Sequence, residues 1–304
     1  MALVAGGCST TPCADPARPA LALPAAIAAR YALPGPVAEL YLAPLGGAAG
    51  CRYFRGRIGS GTEAAEFELV LPAGEEPAPV VLCLPILAGG EDLIWVVGTE
   101  LASRGYAAMW TRRVAAALRP PQRSHDLEQL FRRTVIQNRM LLQWADAQPA
   151  WFRPGPRFAL GISFGGMVAT ALLAVEPRLD KVAIVLAGGD LPHLVFASAE
   201  PRAIAWRRWR ALADGIGRSE LTRELAREAV SDPVLLGPYV PAEKVFFVSA
   251  AFDTVVPPAH QDLLWESLGR PRRLTVPLGH YSAAVLLGPI VGAIAGFFGP
   301  PNLP

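Results

Sequence analysis

The chain has 304 residues, 52% of them hydrophobic and 18% charged, with a formal net charge of +2. That length and apolar content suit a globular protein with a substantial core and exclude a disordered chain. The near-neutral charge gives no electrostatic drive toward nucleic acid, and the four cysteines form no Cys-x-x-Cys pair, so no zinc site is expected.

Residues 1–36 are rich in Ala and Pro and read as an N-terminal tether or signal remnant, with one short helix around residues 25–31. Leu3-Val4-Ala5-Gly6-Gly7-Cys8-Ser9 resembles the end of a bacterial lipoprotein signal, with one glycine more than the usual pattern. On that reading Cys8 is lipidated and the chain sits at the bacterial cell envelope on a lipid anchor. In that oxidising compartment Cys13 and Cys51 would be able to form a disulfide. The alternative is a plain Ala/Gly leader on a cytoplasmic protein. Cys83, inside Val80-Val81-Leu82-Cys83-Leu84, reads as a small buried hydrophobe.

Segments 39–42 and 66–71 are expected to be two strands of an antiparallel edge, and the unbroken apolar run 80–84 a strand buried on both faces. Strand and helix then alternate. A helix over 92–104 stops at Gly105, a strand covers 106–110, and a long amphipathic helix runs from Ser124 to Trp144. A strand over 157–161 and a helix over 164–175 follow, then a strand over 181–186. This rhythm predicts an α/β fold with a mostly parallel central sheet flanked by helices on both faces, with reactive residues at the strands' C-terminal ends. The core is expected over 37–189 and 241–304. Residues 190–240 break the rhythm with two helical patterns, 203–212 and 221–229, and read as a helical lid or cap insertion. Trp206 and Trp209 are expected there either as an apolar substrate wall or as residues that dock the insertion on the core. After strands at 244–249 and 273–276, the apolar stretch 283–298 carries Pro289 and is too short to span a membrane. It is expected to be a buried terminal helix, not a transmembrane one.

Gly161-Ile162-Ser163-Phe164-Gly165 falls between a predicted strand and a predicted helix. A serine in such a turn sits at a strained backbone position with its hydroxyl clear of the chain, and the flanking glycines remove Cβ atoms that would clash. A serine hydroxyl needs a base to take its proton during attack, and neutral imidazole does this near pH 7. His280 follows the last strand in Leu278-Gly279-His280, and Asp253 follows the strand before it, in Phe252-Asp253-Thr254-Val255-Val256-Pro257. His125, His193 and His260 fit the base's place less well.

These three marks, in the order Ser, Asp, His, resemble the α/β-hydrolase superfamily over about residues 38–298, in particular its serine esterase and lipase-like members. The resemblance implies Ser163 as nucleophile, His280 as base and Asp253 as its orienting acid. Asp190 is a second candidate for the acid, because some members carry theirs at the previous strand. The resemblance also implies an oxyanion hole made by the backbone N–H of Phe164 and by one from the loop after strand 80–84. Relatives often show His-Gly there; this sequence has Leu84-Pro85-Ile86-Leu87, and because proline lacks an N–H the donor falls to Ile86, with Leu87 next. Ile86, Leu87, Ile162 and Phe164 make the surroundings apolar. The expected function is hydrolysis of carboxylic esters through an acyl-enzyme, with an apolar acyl or aryl small-molecule substrate, no metal and no cofactor. Acyltransferase, thioesterase or peptidase chemistry with the same triad is the alternative. A binding protein that keeps the fold without activity is a third reading.

Overall fold

The computed structural model describes residues 8–12, 19–48, 50–87, 92–112 and 117–301. Along the chain, β1 (Ser9–Thr11) and the short helix α1 (Ala25–Arg30) precede three long strands, β2 (Ala38–Ala48), β3 (Cys51–Ser60) and β4 (Glu63–Pro72). Alternation then begins with β5 (Ala78–Leu84), α2 (Asp92–Ser103), β6 (Ala107–Thr111), α3 (Ser124–Asp146), β7 (Phe152–Ile162), α4 (Phe164–Val175) and β8 (Leu179–Val185). Helices α5 (Leu191–Ala197), α6 (Pro201–Asp214), α7 (Arg218–Glu228) and α8 (Pro233–Leu236) follow with no strand between them. The chain closes with β9 (Val245–Ala250), α9 (Pro258–Ser267), β10 (Arg272–Val276) and α10 (Leu287–Phe298).

Among the described residues one sheet takes all ten strands, in the order β1-β10-β9-β8-β7-β5-β6-β4-β3-β2. From β10 through β6 neighbouring strands are parallel. The meander β2-β3-β4 joins β6 antiparallel, and β1 joins β10 antiparallel at the other edge. Strand β5 lies between β6 and β7, so the chain reverses its direction of travel across the sheet there, which opens a crevice at the strands' C-terminal ends.

The central strands of the sheet are buried on both faces, whereas the edge strands β1 and β2 are exposed. In β5, Val80, Leu82 and Leu84 face one apolar cluster with α3 and α4, while Val81 and Cys83 face the other with α2 and α10. Every residue of β5 is buried, which explains its lack of polar alternation. Burial also pushes the Cys83 thiol up to about 12, so it stays an unreactive packing group. Pro289 falls in the first turn of α10, where a missing N–H costs little, and among the described residues no helix is long and apolar enough to cross a membrane.

Three expectations need correction. The edge expected as two strands holds three: β2 and β4 each pair with β3, which the sequence disguised with Gly56 and Gly59 among its apolar positions. Gly56 is there for space, because the Phe67 ring lies where its Cβ would go. Residues 1–36, expected as a tether, are docked where they are described. Tyr31 is fully buried with its hydroxyl 2.5 Å from Ser231 Oγ, and Arg132 donates to the Arg30 carbonyl at 2.7 Å. The insertion carries four helices where two were expected; short α5 and α8 each have a proline in their first two positions, outside the windows where a periodic signal builds. Cys8 is exposed beside β1 and Cys51 is buried at the start of β3. Cys13 lies outside the described residues, and the expected Cys13–Cys51 disulfide with it.

The insertion is tied to α3 and to the residues just before it by polar contacts. Trp206 donates its indole N–H to the Gln122 carbonyl at 2.7 Å. Arg123 pairs with Asp214, and Ser231 bonds Glu128 through its N–H and hydroxyl. Within it, Arg210 grips Glu224 with two N–H donors at 3.0 and 2.7 Å, holding that carboxyl below its ordinary value of 4.5.

Candidate active site

Strand β7 delivers Ser163 at φ 56° and ψ −118°, a left-handed region that non-glycine residues adopt only when their surroundings enforce it. The Ser163 N–H donates to the Val185 carbonyl at 2.7 Å, tying the turn to β8. The Ser163 carbonyl accepts from Gly166 and Met167 at 2.9 and 3.2 Å, which starts α4 at once. The turn closes only because two residues lack a Cβ. A Cβ on Gly161 would overlap the Gly165 carbonyl, and one on Gly165 would overlap the Leu84 carbonyl at the end of β5.

The loops after β9 and β10 bring the other two groups to this serine. Asp253 is buried; its Oδ1 accepts from the N–H groups of Val255 and Val256, each at 2.8 Å. Its Oδ2 lies 2.7 Å from His280 Nδ1, and His280 Nε2 lies 3.0 Å from Ser163 Oγ. With Nδ1–H donated to the carboxylate, Nε2 is left to accept from the Ser163 hydroxyl. The Phe252 N–H donates to the Leu278 carbonyl at 3.0 Å and so locks the two loops together. All three side chains lie at the C-terminal edge of the sheet, where the alternation of strand and helix led them to be expected.

The competing residues stand elsewhere. Asp190 faces His193, with 2.7 Å between its Oδ1 and His193 Nδ1. Asp232 caps α8 through the Val234 N–H and also accepts from the N–H groups of Asp190 and Leu191. Burial raises its carboxyl in spite of these donors. His260 is buried with Nδ1 3.0 Å from the Gly189 carbonyl, and His125 and His193 are exposed.

Phe164 is the first residue of α4, at the end of the helix whose dipole favours an anion. Ile86 lies two residues past the end of β5, whose Leu84 pairs with Gly161 of β7. Both residues therefore flank Ser163, Phe164 in the chain and Ile86 across the sheet. Among the described residues, no group of three or more His, Cys, Asp or Glu side chains could hold a metal ion.

Two cavities open at Ser163. The larger, of about 320 Å³, runs between the sheet, α2 and α10; Ile86, Leu87, Ile162 and His280 line it near the serine. The smaller, of about 70 Å³, lies toward α3, α4 and α5 and includes Phe164, Met167 and Leu194 in its wall. Leu87, Ser163 and Glu200 border both. The expectation of a tryptophan wall is corrected, since neither tryptophan lines either cavity. Trp206 is fully buried with the Arg210 guanidinium over its ring, and Trp209 is half-buried beneath Arg123. They are three residues apart, so they share the helix face that docks on the core.

Glu200, Tyr281 and the cavity face of α10 were not among the residues expected at the site. The Tyr281 hydroxyl donates to Glu200 Oε2 at 2.6 Å, joining the insertion to the loop that carries His280. Leu287, Ile290, Val291 and Ile294 of α10 line the larger cavity. The signal was present in the apolar character of α10 on nearly every face, which exceeds what packing on the sheet alone requires.

No protein-family model matches the sequence, and no curated protein matches it. Solved structures do match the fold. Acetyl xylan esterase 1 from Thermoanaerobacterium sp. JW/SL YS485 is 14% identical over 89% of this chain and 99% of its own, with a TM-score of 0.57. The acetyl xylan esterase from Paenibacillus sp. R4 is 16% identical over 88% of this chain and 91% of its own, with a TM-score of 0.58. A cold-adapted esterase from an Arctic intertidal metagenomic library is 16% identical over 82% of this chain and 94% of its own, with a TM-score of 0.53. The chain thus has the α/β-hydrolase fold.

Proposed function

We propose that the protein is a serine hydrolase that cleaves carboxylic esters through an acyl-enzyme. The observation that carries the reading is the relay from Asp253 Oδ2 to His280 Nδ1 at 2.7 Å and from His280 Nε2 to Ser163 Oγ at 3.0 Å. Ser163 Oγ attacks the ester carbonyl carbon while its proton passes to His280 Nε2. The carbonyl oxygen takes the negative charge, facing the N–H groups of Phe164 and Ile86, each such donor contributing about 3 kcal/mol. When the carbonyl re-forms, the bond to the alcohol oxygen breaks and that oxygen takes the proton from His280. Water then attacks the acyl-enzyme with His280 again as base, and Ser163 leaves with its proton restored. Asp253 keeps the imidazole in the working tautomer and stabilises its cationic form.

The neighbours of like fold that are named as esterases support ester chemistry over other uses of the fold. The apolar lining around Ser163 supports an uncharged small-molecule substrate. The test is hydrolysis of a series of p-nitrophenyl esters, with Ser163→Ala as control. Turnover by the wild type that Ser163→Ala lacks is expected; equal turnover by both would refute the reading.

A further inference from the structure

His280 stands in only one of the two cavities that meet at Ser163. We infer that the enzyme acts on esters joining a short acyl group to a bulky apolar alcohol, with the alcohol in the larger cavity and the acyl group in the smaller. The inference deepens the ester-hydrolase reading and rests on it.

The orientation follows from proton transfer. The proton taken from Ser163 rests on His280 Nε2 and must pass to the departing alcohol oxygen as the acyl carbon–oxygen bond breaks. The alcohol oxygen therefore lies on the His280 side, and whatever it carries extends into the cavity of about 320 Å³ that His280 and Tyr281 border. The acyl substituent leaves the same carbon in the other direction, toward Phe164 and Met167 and the cavity of about 70 Å³.

Size then sets the substrate class. An apolar cavity of about 150 Å³ takes up benzene, so the smaller cavity holds only about two to four carbons while the larger holds more than a ring. The small cavity does not readily widen. Phe131, Met167, Leu194 and Val256 in its wall are all buried in the main core, and the rings of Phe131 and Phe164 pack with centroids 4.6 Å apart. Besides Ser163 and His280, the polar members of the large cavity's wall are Glu200, Arg202 and Tyr281, whereas Leu160, Val185 and Ile294 add only apolar surface.

Octyl acetate and ethyl octanoate are isomers, so comparing them isolates which side of the ester is long. The expected result is a kcat/KM for octyl acetate at least about tenfold above that for ethyl octanoate, since each misplaced methylene in an apolar pocket costs at least that much. Ala284→Trp, at an exposed position in the wall of the large cavity, should lower the ratio of octyl acetate to ethyl acetate turnover. Leu194→Ala should raise ethyl octanoate relative to ethyl acetate. Labelling of Ser163 by a fluorophosphonate together with equal or greater turnover of ethyl octanoate would overturn the cavity assignment alone. No labelling and no hydrolysis of any of these esters would overturn the hydrolase reading and the assignment with it.

Discussion

Asp253 Oδ2 stands 2.7 Å from His280 Nδ1 across 27 residues of chain that include α9 and β10. Its other oxygen is occupied by two backbone N–H donors, so the carboxylate has one orientation available, and that orientation faces the histidine. Asp253→Asn should lower kcat by about 10⁴-fold, the scale seen when the equivalent exchange in a serine protease leaves the imidazole in the wrong tautomer. Asp190→Asn, which loosens only a contact with His193, should change kcat by less than about twofold. Steady-state kinetics on both variants checks this, and the reverse ranking would move the acid to Asp190.

Gly165 is the tightest point between the serine turn and β5. A Cβ there would meet the carbonyl carbon and oxygen of Leu84, both backbone atoms of a central strand that cannot swing aside. Gly165→Ala should therefore destabilise the fold by about 3 kcal/mol or more, read as a lower denaturation midpoint in urea. Gly155→Ala is the comparison: nothing lies within 4 Å of its added Cβ, although its φ of 127° still imposes a backbone cost. A larger loss for Gly155→Ala than for Gly165→Ala would refute the steric argument.

Much of this was legible in the sequence because the central strands and the serine turn obey local rules. The run from Val80 to Leu84 has no polar residue because both its faces are covered, and Gly161 and Gly165 flank Ser163 because the turn admits no Cβ at either place. Asp253 and His280 could be placed because each follows a recognisable strand. What stayed hidden depends on packing between distant segments. Strand β3 reads poorly because Gly56 yields its side-chain space to Phe67 of β4. The role of Trp206 turns on which face of α6 meets the segment leading into α3, and no periodicity within α6 says whether that face covers a cavity or a core. Glu200 and Tyr281 meet across 81 residues, a pairing with no local signature.

Trp206 is accordingly a stability residue. It is fully buried and its indole N–H is bonded to Gln122. Trp206→Ala should cost about 3–5 kcal/mol of folding stability while leaving relative kcat/KM across an ester series almost unchanged. A denaturation curve and an ester series on the same preparation test both halves, and a changed ester preference at unchanged stability would restore the tryptophan to the substrate wall.

Acid should loosen the insertion through Glu224. The bonds from Arg210 hold its carboxyl below the ordinary value of 4.5. A carboxyl whose folded value lies below its unfolded value stabilises the fold above the unfolded value, and that contribution is lost as pH falls through the folded one. Glu224→Gln should thus be less stable than the wild type at pH 7, with the gap narrowing as pH falls below 4.5. Melting temperatures from pH 7 to 3 measure this, and a gap that widens on acidification would contradict it.

The proposed activation of the Ser163 hydroxyl by His280 is measured most directly by active-site titration with a fluorophosphonate. One equivalent should bind per chain, located at Ser163 by peptide mass spectrometry, absent from Ser163→Ala and strongly slowed in His280→Ala. Wild-type protein that takes up no probe, or that takes it up equally with Ser163 removed, would contradict it.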